Sequence, residues 1–157
     1  MDGRSLYDRD YAAWAEEQSR LLRRLREERS NVPLDLENLA EEVADLGNNE
    51  LDVIEGNLTQ AVVHLLKLEW SPDREPRRHW LGETTAFRVN AERKLMRSPG
   101  LRARINVAVL YRNAVRIVRK SMGKAFGGDP AVCPWTLDQV MDEEFIPQNR
   151  HGLVDED

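Results

Sequence analysis

"LDLENLAEEVADLGNNELDVIEGNLTQAVVHLLKLEW", residues 34–70, decides the fold. Its apolar residues are Leu36, Leu39, Val43, Leu46, Leu51, Ile54, Leu58, Ala61, Leu65 and Leu68. At 100° per residue they fall on one stripe of a helix. The Gly47-Asn48-Asn49 patch in the middle invites a break. A helix that stopped and restarted there would have no reason to keep the phase of its stripe. The spacing therefore predicts one helix of about 34 residues, from near Asp35 to just before Pro72. That helix accepts roughly 1 kcal/mol for an interior glycine.

The same 3.6-residue period runs through the rest of the chain, and no stretch alternates with period two for long enough to be a strand. A first helix is predicted over Leu6 to Arg29, with Tyr11, Trp14, Leu21, Leu22 and Leu25 on one face. It ends at "SNVPLD", where Pro33 lacks a backbone donor and disfavours helix at Val32. A third helix is predicted over about Arg77 to Met96, with Trp80, Phe87, Ala91 and Leu95 as its apolar row. In "RSPG", Ser98 can cap and Pro99 suits a first helical turn, so a fourth helix should run on to about Lys124. It would bury Val107, Tyr111, Ala114, Val115, Val118 and Met122. Finally Thr136 and Gln139 have capping-box spacing, which predicts a short helix from Leu137 to about Glu143. The expected fold is an all-α bundle of four main helices plus a short C-terminal helix. Trp14, Trp80, Pro134, Trp135 and Phe145 are its expected anchors. One domain is expected over residues 1–147, and residues 148–157 read as a flexible acidic tail.

These stretches, taken together, resemble a known family. "YDRDYAAWAEEQSRLLR", "LDLENLAEEVADLG", "HLLKLEW" and "CPWTLDQVMDEEFIP" are similar to the bacterial family catalogued as domain of unknown function 29. The resemblance runs from about Tyr7 to Pro147. One departure is Trp135, where the family pattern leads one to expect tyrosine after Cys-Pro. The resemblance implies a compact all-helical protein of the bacterial cytoplasm. It implies no activity, cofactor or catalytic residue.

The sequence holds 157 residues with 41% apolar and 32% charged side chains, enough for a self-sufficient core. Cys133 is the only cysteine, so no internal disulfide can form and a reducing compartment is expected. The opening "MDGRSLYDRD" lacks the basic-then-apolar pattern of a secretory signal, and no window is apolar enough to span a membrane. A cytoplasmic location is the expectation. The net charge of −5 conceals segregation. Residues 30–70 carry one basic and nine acidic side chains, whereas residues 71–124 carry fourteen basic and four acidic. Such opposite blocks are expected to face each other, within the fold or between copies.

Four sets of residues are candidates for chemistry. Glu37, Glu41, Asp45, Asp52 and Glu55 project opposite the leucine stripe. A carboxylate metal site in a helical bundle needs inward glutamates and Glu-x-x-His pairs, and this chain has no such pair. They read as a polar face, so neither a metal nor a cofactor is expected. Cys133 lies ahead of a short helix whose dipole could lower a thiol pKa, but a packed thiol beside Pro-Trp is the simpler reading. Arg102, Arg112, Arg116, Arg119, Lys120 and Lys124 form a basic face on the fourth helix, suited to an anionic partner. Aromatic stacking residues and a helix-turn-helix are both missing, which disfavours nucleic acid. Glu50, Asn57 and His64 recur every two turns on the flank of the leucine stripe. Polar groups at such a seam set register or line a pocket, and His64 is expected to be shielded and hydrogen-bonded.

No catalytic constellation emerges. The leading expectation is a non-enzymatic interaction or scaffold protein, binding a protein partner or a second copy of itself as a homodimer. Two alternatives stand beside it. One is a small enzyme or ligand binder using the Glu50–Asn57–His64 side; the other is a nucleic-acid-associated protein using the basic fourth helix.

Overall fold

The structure, a computed structural model, describes residues 5–29 and 31–155. It is all-α, 71% helical, with no strand among the described residues. The four long helices are α2 (Tyr11–Glu27), α3 (Leu36–Trp70), α4 (Arg77–Arg97) and α5 (Val107–Met122). Two short ones, α1 (Leu6–Arg9) and α6 (Leu137–Met141), and 3-10 turns at Pro99–Arg104 and Gly123–Ala125 complete the set. No helix of the described residues is long and apolar enough to cross a membrane.

Helix α3 runs unbroken through Gly47 for 35 residues. Asp35 starts it: its carboxylate accepts from the Asn38 backbone N–H at 3.2 Å and from the Asn38 amide at 2.6 Å. Those bonds hold the Asp35 carboxyl below its ordinary pKa. Pro72 ends the helix, since it has no N–H to continue the ladder.

Two expected helices are broken instead, each at a polar residue that caps the next segment. Asp10 has an extended backbone, and its side chain accepts from Ala13 N–H at 3.0 Å, separating α1 from α2. Asn106 does the same for α5, accepting from Ala108 and Val109 N–H at 3.1 and 3.3 Å. The fourth helix therefore starts at Val107, and residues 99–104 form a 3-10 turn before it. Ser98 does not cap that turn. Its hydroxyl is buried and accepts from Ala12 N–H at 3.1 Å.

The described residues form two compact units. The first comprises the chain up to Ile54 together with Arg93–Ile105; the second comprises Glu55–Glu92 and the chain from Asn106 onward. In the first unit α2 and the opening half of α3 meet through small residues. Ala12, Ala15, Ser19, Ala40 and Gly47 are buried, and the Ser19 hydroxyl donates to the Ala40 carbonyl at 2.7 Å. A Cβ added to Gly47 would lie 3.3 Å from the Ala12 carbonyl oxygen, so glycine is what lets the backbones approach. This close seam rotates both helices away from the expected faces. Leu21, Leu39 and Leu46 are exposed, while Trp14 is half-buried in an aromatic cluster with Tyr7 and Tyr11. Arg97 lies over the Tyr11 ring at 3.8 Å.

The second unit holds a conventional aliphatic core: Leu58, Val62, Leu65, Leu66, Leu68, Val115, Val118 and Val140 are fully buried. Trp135 is buried edge-on to Tyr111 and Phe145, with ring centroids 5.9 Å apart in both pairs. The capping box forms as expected, with Gln139 N–H donating to the Thr136 hydroxyl at 3.2 Å. Pro134, expected as an anchor, is exposed; Val140 takes that place because α6 turns its apolar side inward. Trp80 is half-buried, with the Lys67 ammonium 5.8 Å from its ring centre.

Candidate functional site

Buried charge marks the places where this fold is constrained, and three such places stand out. Arg88 on α4 is 2% exposed. Its Nε donates to the Val140 carbonyl at 2.7 Å and its Nη2 to the Phe145 carbonyl at 2.9 Å. Longer bonds reach the carbonyls of Gln139 (3.4 Å) and Glu143 (3.5 Å). Burial pushes the guanidinium pKa down, opposed by Asp142 and Glu143. One side chain thus ties the Val140 carbonyl of α6 to the Phe145 carbonyl of the segment that follows it. The sequence reading overlooked it. The available signal was phase, because Arg88 lies in register with Thr84, Ala91 and Leu95, all buried.

Arg77 and Asn149 form the second place. Arg77 is 3% exposed, donates to the Leu68 carbonyl at 2.7 Å, and grips Asp155 with two bonds of 2.7 and 2.8 Å. That pairing holds the Asp155 carboxyl below its ordinary pKa. Asn149 is buried and donates to the carbonyls of Leu68 and Ser71 at 2.7 and 2.9 Å. Arg150 reaches Glu69 at 2.8 Å and covers the Trp70 ring at 4.1 Å; His151 meets the Trp70 carbonyl at 3.1 Å. Residues 149–151 are therefore bonded to the end of α3, and Asp155 to Arg77 at the start of α4. Asn149 and the His151 ring meet the open carbonyls at the end of α3, while residues 156–157 lie outside the described residues.

The third place is Glu50, 7% exposed, whose Oε1 accepts from Lys94 Nζ at 2.8 Å. Its other carboxylate oxygen is buried without a hydrogen-bond partner among the described residues. The other two members of that row have surroundings of their own. Asn57 is half-buried and engaged in a contact of its own. His64 is half-buried and stacks on Phe87, with centroids 5.7 Å apart and planes 11° from parallel. The expected hydrogen bond is missing at its Nδ1, which is buried and unpartnered among the described residues. Phe87 supplies an apolar face and no acceptor. Burial lowers the His64 pKa to about 4, aided by Lys67 and His79 and opposed by Glu83.

The remaining candidates separate cleanly. Glu37, Glu41, Asp45 and Asp52 are exposed and Glu55 is half-buried, and Glu37 pairs with Arg26 at 3.0 Å. No group of three His, Cys, Asp or Glu side chains suited to a metal occurs among the described residues. The half-buried Cys133 thiol donates to the Trp135 carbonyl at 3.2 Å; burial raises its pKa, which disfavours a thiolate. Arg102 lies in the 3-10 turn of the first unit rather than on α5. Arg112, Arg116, Arg119 and Lys120 do share the exposed side of α5. Arg116, Arg119 and Lys120 line a cleft of about 840 Å³ with Asn113 and Ile117. Arg119 donates to the Gly128 carbonyl at 3.3 Å; Arg112, Arg116 and Lys120 have no acidic partner among the described residues.

Helical order and two internal arginine clamps, Arg77 and Arg88, define a small all-α protein. The chain belongs to the family described as domain of unknown function DUF29, whose model matches residues 6–146. It is similar to an alpha-helical protein of unknown function from Rhodospirillum rubrum whose crystal structure is known. That likeness has 27% identity and a TM-score of 0.79, and covers 90% of this chain and 92% of the other. A comparison with curated proteins found no match.

Proposed function

We propose that this protein is a non-enzymatic interaction protein and that the outer side of α5 is its contact face. The observation that carries this reading is the α5 cleft, where arginine and lysine heads without acidic partners surround an apolar floor. Ile117 is 41% exposed there, and Val109, 37% exposed, lies on the same helix. An apolar strip fringed by one sign of charge suits a helix that is apolar and oppositely charged. The exposed side of α3 in the first unit offers such a counterpart: Leu39 and Leu46, each 38% exposed, lie beside Glu42, with Asp45 further round the helix. The occupant is accordingly the α3 face of a second copy, and the protein self-associates. Because the two faces differ, the contact is heterologous.

Sedimentation of the full chain over a range of concentrations tests this. Self-association is expected at low ionic strength and should weaken as salt screens the charges. Either Arg116→Glu/Lys120→Glu or Glu42→Lys/Asp45→Lys alone should abolish it, and mixing the two variants should restore one heterodimeric contact. A monomer at every concentration in low salt, or association indifferent to both variants, overturns the reading. Salt-sensitive binding of nucleic acid by a monomeric chain would turn the α5 face over to the nucleic-acid alternative.

A further inference from the structure

A second cleft, in the first unit, has a different chemistry. It measures about 570 Å³ and is lined by Arg20 and Arg23 of α2, Asn48 of α3 and Arg104 at the end of the 3-10 turn. Its floor is the small-residue seam of Ala12, Ser19, Ala44 and Gly47, and Glu16 is its one acid. The neighbouring arginines of α2 are occupied: Arg24 pairs with Glu28 at 3.1 Å and Arg26 with Glu37 at 3.0 Å. Arg20, Arg23 and Arg104 have no ion pair among the described residues, although two separate elements bring them to one cleft. All three are exposed, and an anion among them would relieve whatever repulsion solvent leaves unscreened.

We infer that this cleft binds a small phosphate monoester. Three positive heads less the Glu16 carboxylate leave a formal charge of +2. A phosphate monoester carries about −1.5 to −2 at neutral pH and presents three terminal oxygens, which balances that charge. Guanidinium groups match phosphate oxygens with paired N–H donors in a rigid fork, where lysine would offer only a point charge. A single carboxylate, with one charge and two oxygens, would leave the site half-neutralised. Arg20 and Arg23 are one helical turn apart on α2, so both reach the same side, and Arg104 closes from the 3-10 turn. The floor explains the space. Ala12, Ala44 and Gly47 project little or nothing, and the backbones touch at Ala12 and Gly47, closing the base. The volume falls in the range of small-molecule pockets, roughly 300–1,000 Å³, and exceeds what one phosphate fills, so the organic part of an ester has room. Asn48 supplies a neutral amide for that part. A nucleic-acid strand is a poorer match, because its diester phosphates each carry one charge and continue along a backbone that a compact cleft does not follow.

The test is calorimetric titration of the full chain with inorganic phosphate, glucose 6-phosphate and a single-stranded oligonucleotide. NMR amide shifts locate any bound probe, and circular dichroism confirms the fold of each variant. Glucose 6-phosphate should bind more tightly than inorganic phosphate and shift amides of residues 44–48. Arg104→Gln alone should weaken it at least about ten-fold, and Arg20→Gln/Arg23→Gln should remove measurable binding. Glu16→Gln should tighten it by removing the competing carboxylate, an effect that a merely structural cluster would not show. The inference is overturned by absence of binding at about 10 mM ester. It is equally overturned by an affinity unchanged in the arginine variants, by an ester bound no better than free phosphate, or by an oligonucleotide that outcompetes the ester.

Discussion

Arg88 donates through Nε to the carbonyl of Val140 at 2.7 Å, and the arginine is as deeply buried as the valine it holds. A charged side chain is tolerated there because the segment after α6 turns several carbonyls toward it. Deleting the guanidinium would leave those carbonyls buried and unpaired, which is costlier than the bonds themselves are favourable. Arg88→Leu is expected to lower unfolding stability by about 3 kcal/mol. Arg88→Lys should fail to rescue it, because a point ammonium cannot reach Val140 and Phe145 together. Chemical denaturation measures both, and hydrogen exchange should show the amides of 137–145 losing protection. A lysine variant as stable as the parent would show that charge alone, not the planar fork, holds the segment.

Glycines 47 and 56 sit in the same helix and should respond differently to alanine. At Gly56 an added Cβ meets nothing within 4 Å, so Gly56→Ala should gain the helix-propensity difference of about 0.8–1 kcal/mol. At Gly47 the same atom lies 3.3 Å from the Ala12 carbonyl oxygen, so the close seam must open slightly and the gain should be offset. Gly47→Val, bulkier still, should destabilise by about 1–3 kcal/mol through overpacking. Thermal melts of the three variants check this. Equal gains at both positions would mean the seam is loose.

Glu50 and Lys94 offer a double-mutant cycle. Lys94→Met leaves a buried carboxylate without its cation and is expected to cost about 3 kcal/mol. Glu50→Leu combined with Lys94→Met should recover most of that, because two apolar side chains can replace a buried ion pair at little cost. Additive losses in the double variant would show that the two side chains act independently.

The fold was legible because its signal is periodic: the leucine stripe held its phase across Gly47, and prolines marked the ends of helices. What could not be read was where small residues would win. Leucine-based patterns placed Leu39 and Leu46 inward, yet the approach at Ala12, Ser19, Ala40 and Gly47 turned the helix. Small residues bury little area each, so hydropathy hides a seam whose logic is distance. The two missed breaks have a different cause. Asp10 and Asn106 compete for backbone N–H groups, an effect local to one residue and invisible to an averaged period. Charge was the least legible feature. Arg77, Arg88 and Asn149 look like surface residues in one dimension, and only the folded chain shows the carbonyls they satisfy. The arginine cleft escaped for the same reason, since Arg104 lies some eighty residues of chain from Arg20 and Arg23.

His64 carries the pH dependence that can be isolated most cleanly. Its folded pKa is lowered to about 4, against an ordinary value of 6.5, chiefly because burial disfavours the imidazolium. Between those values the unfolded chain binds a proton that the folded chain refuses. Stability from this group is therefore complete above pH 6.5 and is lost as pH falls toward 4. The slope is bounded by one proton, about 1.4 kcal/mol per pH unit, and should fall short of that because the ring is only half-buried. His64→Leu removes the titrating group and the unpartnered Nδ1 while keeping an apolar contact for Phe87. At pH 7 the variant should be as stable as the parent or slightly more so. On acidification it should lose stability less steeply, and the difference between the two curves should grow from pH 6.5 down to 4 and then level off. Denaturant unfolding at half-unit pH steps measures that difference directly, since carboxylates titrating in the same range are common to both proteins. Parallel curves, or an NMR titration of His64 with a midpoint near 6.5, would place the imidazole in free contact with water and remove its part in the acid sensitivity of the fold.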